Sequence, residues 1–121
     1  MSARLSQLYR LHDEINYDFF NGILLPIRMR LEKRNTTKWA WYQYSLTKAR
    51  VPRNIERSTI HIHVECFADP DLLLGTMVHE MVHQWQAEIV GMECDHGELF
   101  MGVCASAEEF YGVDVEEIDV S

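Results

Sequence analysis

His79-Glu80-Met81-Val82-His83 is an H-E-x-x-H run, and its reading decides the fold. On a helix, positions i and i+4 lie about 40° apart and one turn along the axis. Two imidazoles at that spacing present nitrogens to one metal ion. Glu80, at the edge of the same face, is placed to take a proton from water rather than to bind the metal. The run lies in a longer stretch, 69–90, with helix signals at both ends. Asp69 is an N-cap residue, Pro70 occupies the first helical position, and Gly91 supplies a C-cap. With His79 as the zero of angle, Leu74, Val78, Met81, Val82, Trp85 and Ile89 all fall between about 200° and 300°. The expectation is a helix with one apolar face in the core and a polar, histidine-bearing face in a cleft.

A catalytic zinc site needs a third protein ligand and an open position. His96, in Cys94-Asp95-His96-Gly97-Glu98-Leu99-Phe100, is the first candidate, because a turn after the helix can bring it back under the metal. A Glu from a following helix, Glu108 or Glu109, is another solution, and Cys94 a further one. The longer spacing H-E-x-x-H-x-x-G-x-x-H is absent, since position 86 is Gln and position 89 is Ile. Asp95 or Glu93 can orient a ligand imidazole from behind. Tyr111 and His63 are candidates for an additional oxyanion donor.

Outward from this stretch, Leu5, Leu8, Leu11, Ile15 and Phe19 recur at helical spacing, which predicts a helix over 4–20 stopped by Asn21-Gly22. Ile27, Met29 and Leu31 alternate with Arg28, Arg30 and Glu32, as a half-exposed strand does. Asn35-Thr36-Thr37 reads as a turn. Residues 39–44 form an aromatic second strand, 47–57 a basic loop, and 59–64 a third strand with His61 and His63 on its polar face. This third strand is a candidate cleft edge for an extended substrate. A last helix runs from about Glu98 to Tyr111 and Gly112 ends it. Residues 112–121 read as a loosely held acidic tail. The fold class is therefore α+β: an N-terminal helix, a three-stranded sheet, the motif helix and a C-terminal helix, in one domain over 1–121.

Composition limits the function. No apolar run approaches the length of a transmembrane helix, and Met1-Ser-Ala-Arg-Leu-Ser-Gln lacks the apolar centre of a signal peptide. Cys66, Cys94 and Cys104 have no C-x-x-C spacing and read as reduced thiols of an intracellular, cytoplasmic protein. The net charge of −8 hides an asymmetry. All 11 Lys and Arg lie in residues 1–57, whereas the remaining 64 residues carry acids alone. The basic stretch from Arg28 to Arg57, interleaved with Trp39, Trp41, Tyr42 and Tyr44, is a candidate surface for DNA.

Three segments together resemble the SprT-like metalloprotease domain family: Phe19-Phe20-Asn21-Gly22 with Leu25-Pro26, Thr76-Met77-Val78-His79-Glu80-Met81-Val82-His83, and His96-Gly97-Glu98-Leu99-Phe100. The resemblance covers about 5–111. It implies a zincin-like zinc peptidase with His79, His83 and His96 as Zn²⁺ ligands and Glu80 as catalytic glutamate. It implies a protein or peptide substrate, and an intracellular site of action, on the nucleoid or in a host cell if virus-encoded. Family members include bacterial SprT and eukaryotic Spartan, a DNA-dependent protease acting on DNA–protein crosslinks. Many SprT proteins carry a zinc ribbon with paired C-x-x-C motifs. The sequence has none, so the resemblance is to a minimal version of the domain. The alternative is a catalytically inactive, metal-stabilised domain that binds nucleic acid or a protein partner.

Overall fold

A computed structural model describes residues 1–34, 38–44 and 58–115. The expected turn at Asn35-Thr36-Thr37, the basic loop over 47–57 and the tail beyond 115 lie outside the described residues.

The elements are α1 (Ala3–Asp18), β1 (Arg28–Glu32), β2 (Ala40–Gln43), β3 (Thr59–His63), a 3-10 turn (Val64–Ala68), α2 (Pro70–Trp85), a π-helical turn (Gln86–Val90) and α3 (Glu98–Tyr111). Ser2 caps α1 by accepting from the Leu5 amide. Leu8, His12 and Ile15 turn inward from it. Asn21 (φ 56°) and Gly22 (φ 74°) take left-handed backbone and stop α1. Asn16 then clips the returning chain, donating to the Leu24 carbonyl and accepting from the Leu24 amide. The Tyr9 hydroxyl accepts from the Met29 amide and ties α1 to β1.

The sheet has the order β1-β3-β2, with β1 parallel and β2 antiparallel to β3. This corrects the expected role of 59–64. β3 is the central strand, its ladder partners are taken on both sides, and every one of its residues is buried. It cannot edge a cleft. Its histidines do not stand on an exposed polar face either. His61 lies between the Glu32 carboxylate (2.9 Å) and the Gln43 side-chain oxygen (2.8 Å), with its ring stacked 4.3 Å from Trp41. His63 donates from Nε2 to the Arg34 carbonyl and accepts at Nδ1 from the Glu65 amide, which leaves it no oxyanion to serve.

α2 crosses the other sheet face, which carries Met29, Ile60, Ile62, Ala40 and Tyr42. Asp69 caps it by accepting from the Asp71 amide, with Pro70 in the first turn. The expected two-faced helix is corrected as well. Residues 77–84 are buried without a break, because α1, the sheet, α3 and residues 113–115 close around α2. Leu74 and Trp85 are only half buried and Ile89 is 47% exposed, so the apolar stripe drifts out of the core at both ends. Each fully buried Met77, Val78, Met81 and Val82 contributes about 1.5–3 kcal/mol from area removed from water.

Candidate metal centre

His79 and His83 lie one turn apart on α2, and the chain then leaves α2 through the π-helical turn to Gly91 (φ 78°). Gly91 and Met92 both donate to the Gln86 carbonyl, which reverses the chain. Residues 92–97 fold back beneath α2. The Tyr44 hydroxyl accepts from the Cys94 amide, and the Asp95 carboxylate accepts from Gln86 Nε2 and the Gly97 amide. These contacts bring His96 to the two helix histidines. One ring nitrogen from each of His79, His83 and His96 lies within 4.8 Å of the others, and His83 Nε2 is 3.2 Å from His96 Nε2. Ligands about 2.0–2.1 Å from a tetrahedral zinc ion stand roughly 3.4 Å apart. The three histidines are close enough to bind a metal ion.

The ring protons are disposed to suit it. A carbonyl oxygen only accepts, so His79 Nδ1 donates to the Val115 carbonyl at 2.8 Å. His83 Nδ1 likewise donates to Gln86 Oε1 at 2.9 Å. Gln86 cannot swap its amide ends, because its Nε2 donates to Asp95. In both helix histidines the proton is therefore held at Nδ1, and Nε2 is left with its lone pair. Phe100, in the first turn of α3, lies against all three rings: centroids are 5.0 Å from His79, 4.5 Å from His83 and 4.9 Å from His96. It forms an apolar floor. His79 and His83 are buried while His96 is exposed, so the cluster opens to solvent on the His96 side.

Among the described residues the other ligand candidates do not join this cluster. The Cys94 thiol donates to the His83 carbonyl. Glu108 accepts from the Val115 amide, and Glu109 is exposed. Of the two acids expected behind a histidine, Asp95 takes the role, one step removed through Gln86. Tyr111 packs on Phe19 and Phe110 toward α1, and burial raises its phenol pKa with Asp18 and Glu14 adding to the effect. It does not join the histidines. Burial pushes the Cys66 thiol up to about 11, so it stays protonated at neutral pH. Glu80 is only 2% exposed.

Two partners escaped the sequence reading. Gln86 carried a usable signal, since i+3 from His83 shares its helix face. Val115 carried none, because its carbonyl does the work and its side chain is an ordinary apolar one. The start of the expected loose tail is held instead: Val115 is fully buried, and the rest of that tail lies outside the described residues. No family model matches this sequence, and no curated protein matches it.

Proposed function

We propose that this protein is a zinc-dependent endopeptidase of SprT-like type, built as a minimal zincin-like domain. The observation that carries the reading is the convergence of His79, His83 and His96 with two Nδ1 protons already engaged, and Glu80 next in the chain to His79. Three neutral imidazoles suit zinc better than the hard, oxygen-seeking cations.

Bound among these histidines, zinc would act as a Lewis acid and lower the pKa of a water molecule towards neutrality. With zinc held there, Glu80 would take a proton from a water attacking a peptide carbonyl and return it to the leaving amine nitrogen. Val115 and the Gln86–Asp95 pair keep the His79 and His83 rings in one tautomer. Phe100 keeps bulk water from the inner side of the site. Among the described residues β2 has a ladder partner on one side only, and it packs on α2. An extended substrate pairs with β2 rather than with β3.

One observation favours a second reading, a metal-stabilised domain that cuts nothing: Glu80 is as buried as the two helix histidines, His79 and His83. Glu80→Gln separates the two. The endopeptidase reading expects proteolysis of an unfolded protein substrate to fall by 10²-fold or more, with one zinc per chain retained. Wild-type protein that holds zinc and cleaves no unfolded substrate supports the second reading.

A further inference from the structure

The chain after α3 does more than finish the fold. Gly112 (φ 70°) ends α3, its amide donating to the Glu108 carbonyl at 2.7 Å, and residues 113–115 run back across α2. The Asp114 carbonyl presses on α2 at Gly75, where any Cβ would overlap it. A residue without a side chain is needed there for close approach, although glycine weakens a helix. One residue later Val115 is completely buried. Its amide donates to Glu108 Oε1 at 3.1 Å and its carbonyl accepts from His79 Nδ1 at 2.8 Å.

We propose that Glu108 is a positioning residue for the metal centre: through the Val115 backbone it holds His79 in the tautomer and orientation that a metal requires. The inference rests on the metal-binding part of the proposed function. Its logic is that of outer partners in general, which fix a ligand ring without touching the metal. His83 has its partner built into its own neighbourhood, in Gln86 and Asp95. The outer partner of His79 comes instead from the far end of α3. Without the Glu108 carboxylate, the Val115 amide loses its acceptor, and the 113–115 strap loses the polar contact that fixes its carbonyl on His79. The Glu108 carboxylate thus serves the site as an anchor and not as the zinc ligand that its position in the sequence suggests.

The test compares wild type with Glu108→Ala, Glu108→Gln and Ser106→Ala, an exposed position on the same helix. Zinc affinity is measured by competition with a chromophoric chelator. The histidine tautomers of metal-free protein are read from ring ¹⁵N shifts. Glu108→Ala should bind zinc 10–100-fold more weakly, and its His79 should lose the Nδ1–H form while His83 keeps it. Glu108→Gln retains an acceptor oxygen and should stay within about threefold of wild type, as should Ser106→Ala. A Glu108→Ala protein with wild-type affinity and an unchanged His79 tautomer would overturn the proposal.

Gly75→Ala probes the same strap from the other side. It strengthens the helix intrinsically, so it serves if Glu108→Ala does not fold. It should loosen zinc and randomise His79, and an unchanged tautomer counts against the strap. If wild type binds no zinc, the metal reading fails, yet the tautomer of His79 still decides the role of Glu108.

Discussion

A ring nitrogen binds metal only as well as the opposite nitrogen is held. His83 depends on Gln86, whose amide is fixed by Asp95. Gln86→Leu should therefore lower zinc affinity about 10–100-fold, measured by chelator competition, with α2 itself little changed. Gln86→Glu keeps an acceptor for His83 but sets a carboxylate against Asp95, so it should be intermediate. His12 is a different buried histidine, bonded from Nε2 to Gln84, which in turn binds the Leu25 carbonyl and Glu88. Burial lowers its pKa below 6.5, outweighing the Gln84 bond and the Asp13 charge. The unfolded chain therefore binds a proton near pH 6.5 that the folded chain refuses. The stability tied to His12 is whole above about pH 6.5 and is lost as pH falls towards the folded pKa. In chelator-treated protein, thermal melts from pH 7.5 to 5 should show a steeper loss for wild type than for His12→Gln. Parallel slopes would contradict this account of His12.

The elements show which signals reach across the chain and which do not. The start signal of α2, Asp69 with Pro70, is local chemistry and the helix begins there, whereas α2 ends at Trp85 and the expected cap Gly91 closes the π-helical turn that follows. The approach of His96 beneath the helix was legible for the same reason, since 13 residues with a left-handed glycine leave few alternatives. The order β1-β3-β2 was not legible. Alternation in 59–64 reveals a strand but not its neighbours, and burial by both β1 and β2 is a long-range outcome. The same limit hid the strap, because backbone groups at Asp114 and Val115 leave no mark in residue type. Phe100 belongs to this scale as the contact between α3 and the histidines of α2. Phe100→Ala should cost about 3–5 kcal/mol of stability in denaturant titration. It should also weaken zinc binding, whereas Phe100→Leu should recover most of the stability. Equal stability of wild type and Phe100→Ala would remove the apolar floor from the account.

Across the whole molecule, the zinc-site reading predicts that metal and fold are linked. Ligand binding to the native state alone raises stability by mass action, so a chelator should lower Tm and added zinc should restore it. The described part of the basic stretch carries exposed Arg28, Arg30, Lys33, Arg34 and Lys38 around β1 and the start of β2. Its aromatics, in contrast, are engaged within the fold: Trp41 on His61, Tyr42 on Tyr44, and Tyr44 with Cys94. Any single-stranded DNA binding should therefore be driven by charge more than by stacking. Its log-log salt slope should be about −0.7 per phosphate contacted. Absence of binding at low salt would eliminate DNA as a partner of this surface.

The central claim is a metal centre of three histidines, and the metal content of purified protein, wild type beside His96→Ala, tests it most directly. The account predicts one zinc per wild-type chain, lost or strongly weakened in His96→Ala. One zinc retained in His96→Ala, or none in wild type after zinc is supplied, would contradict it.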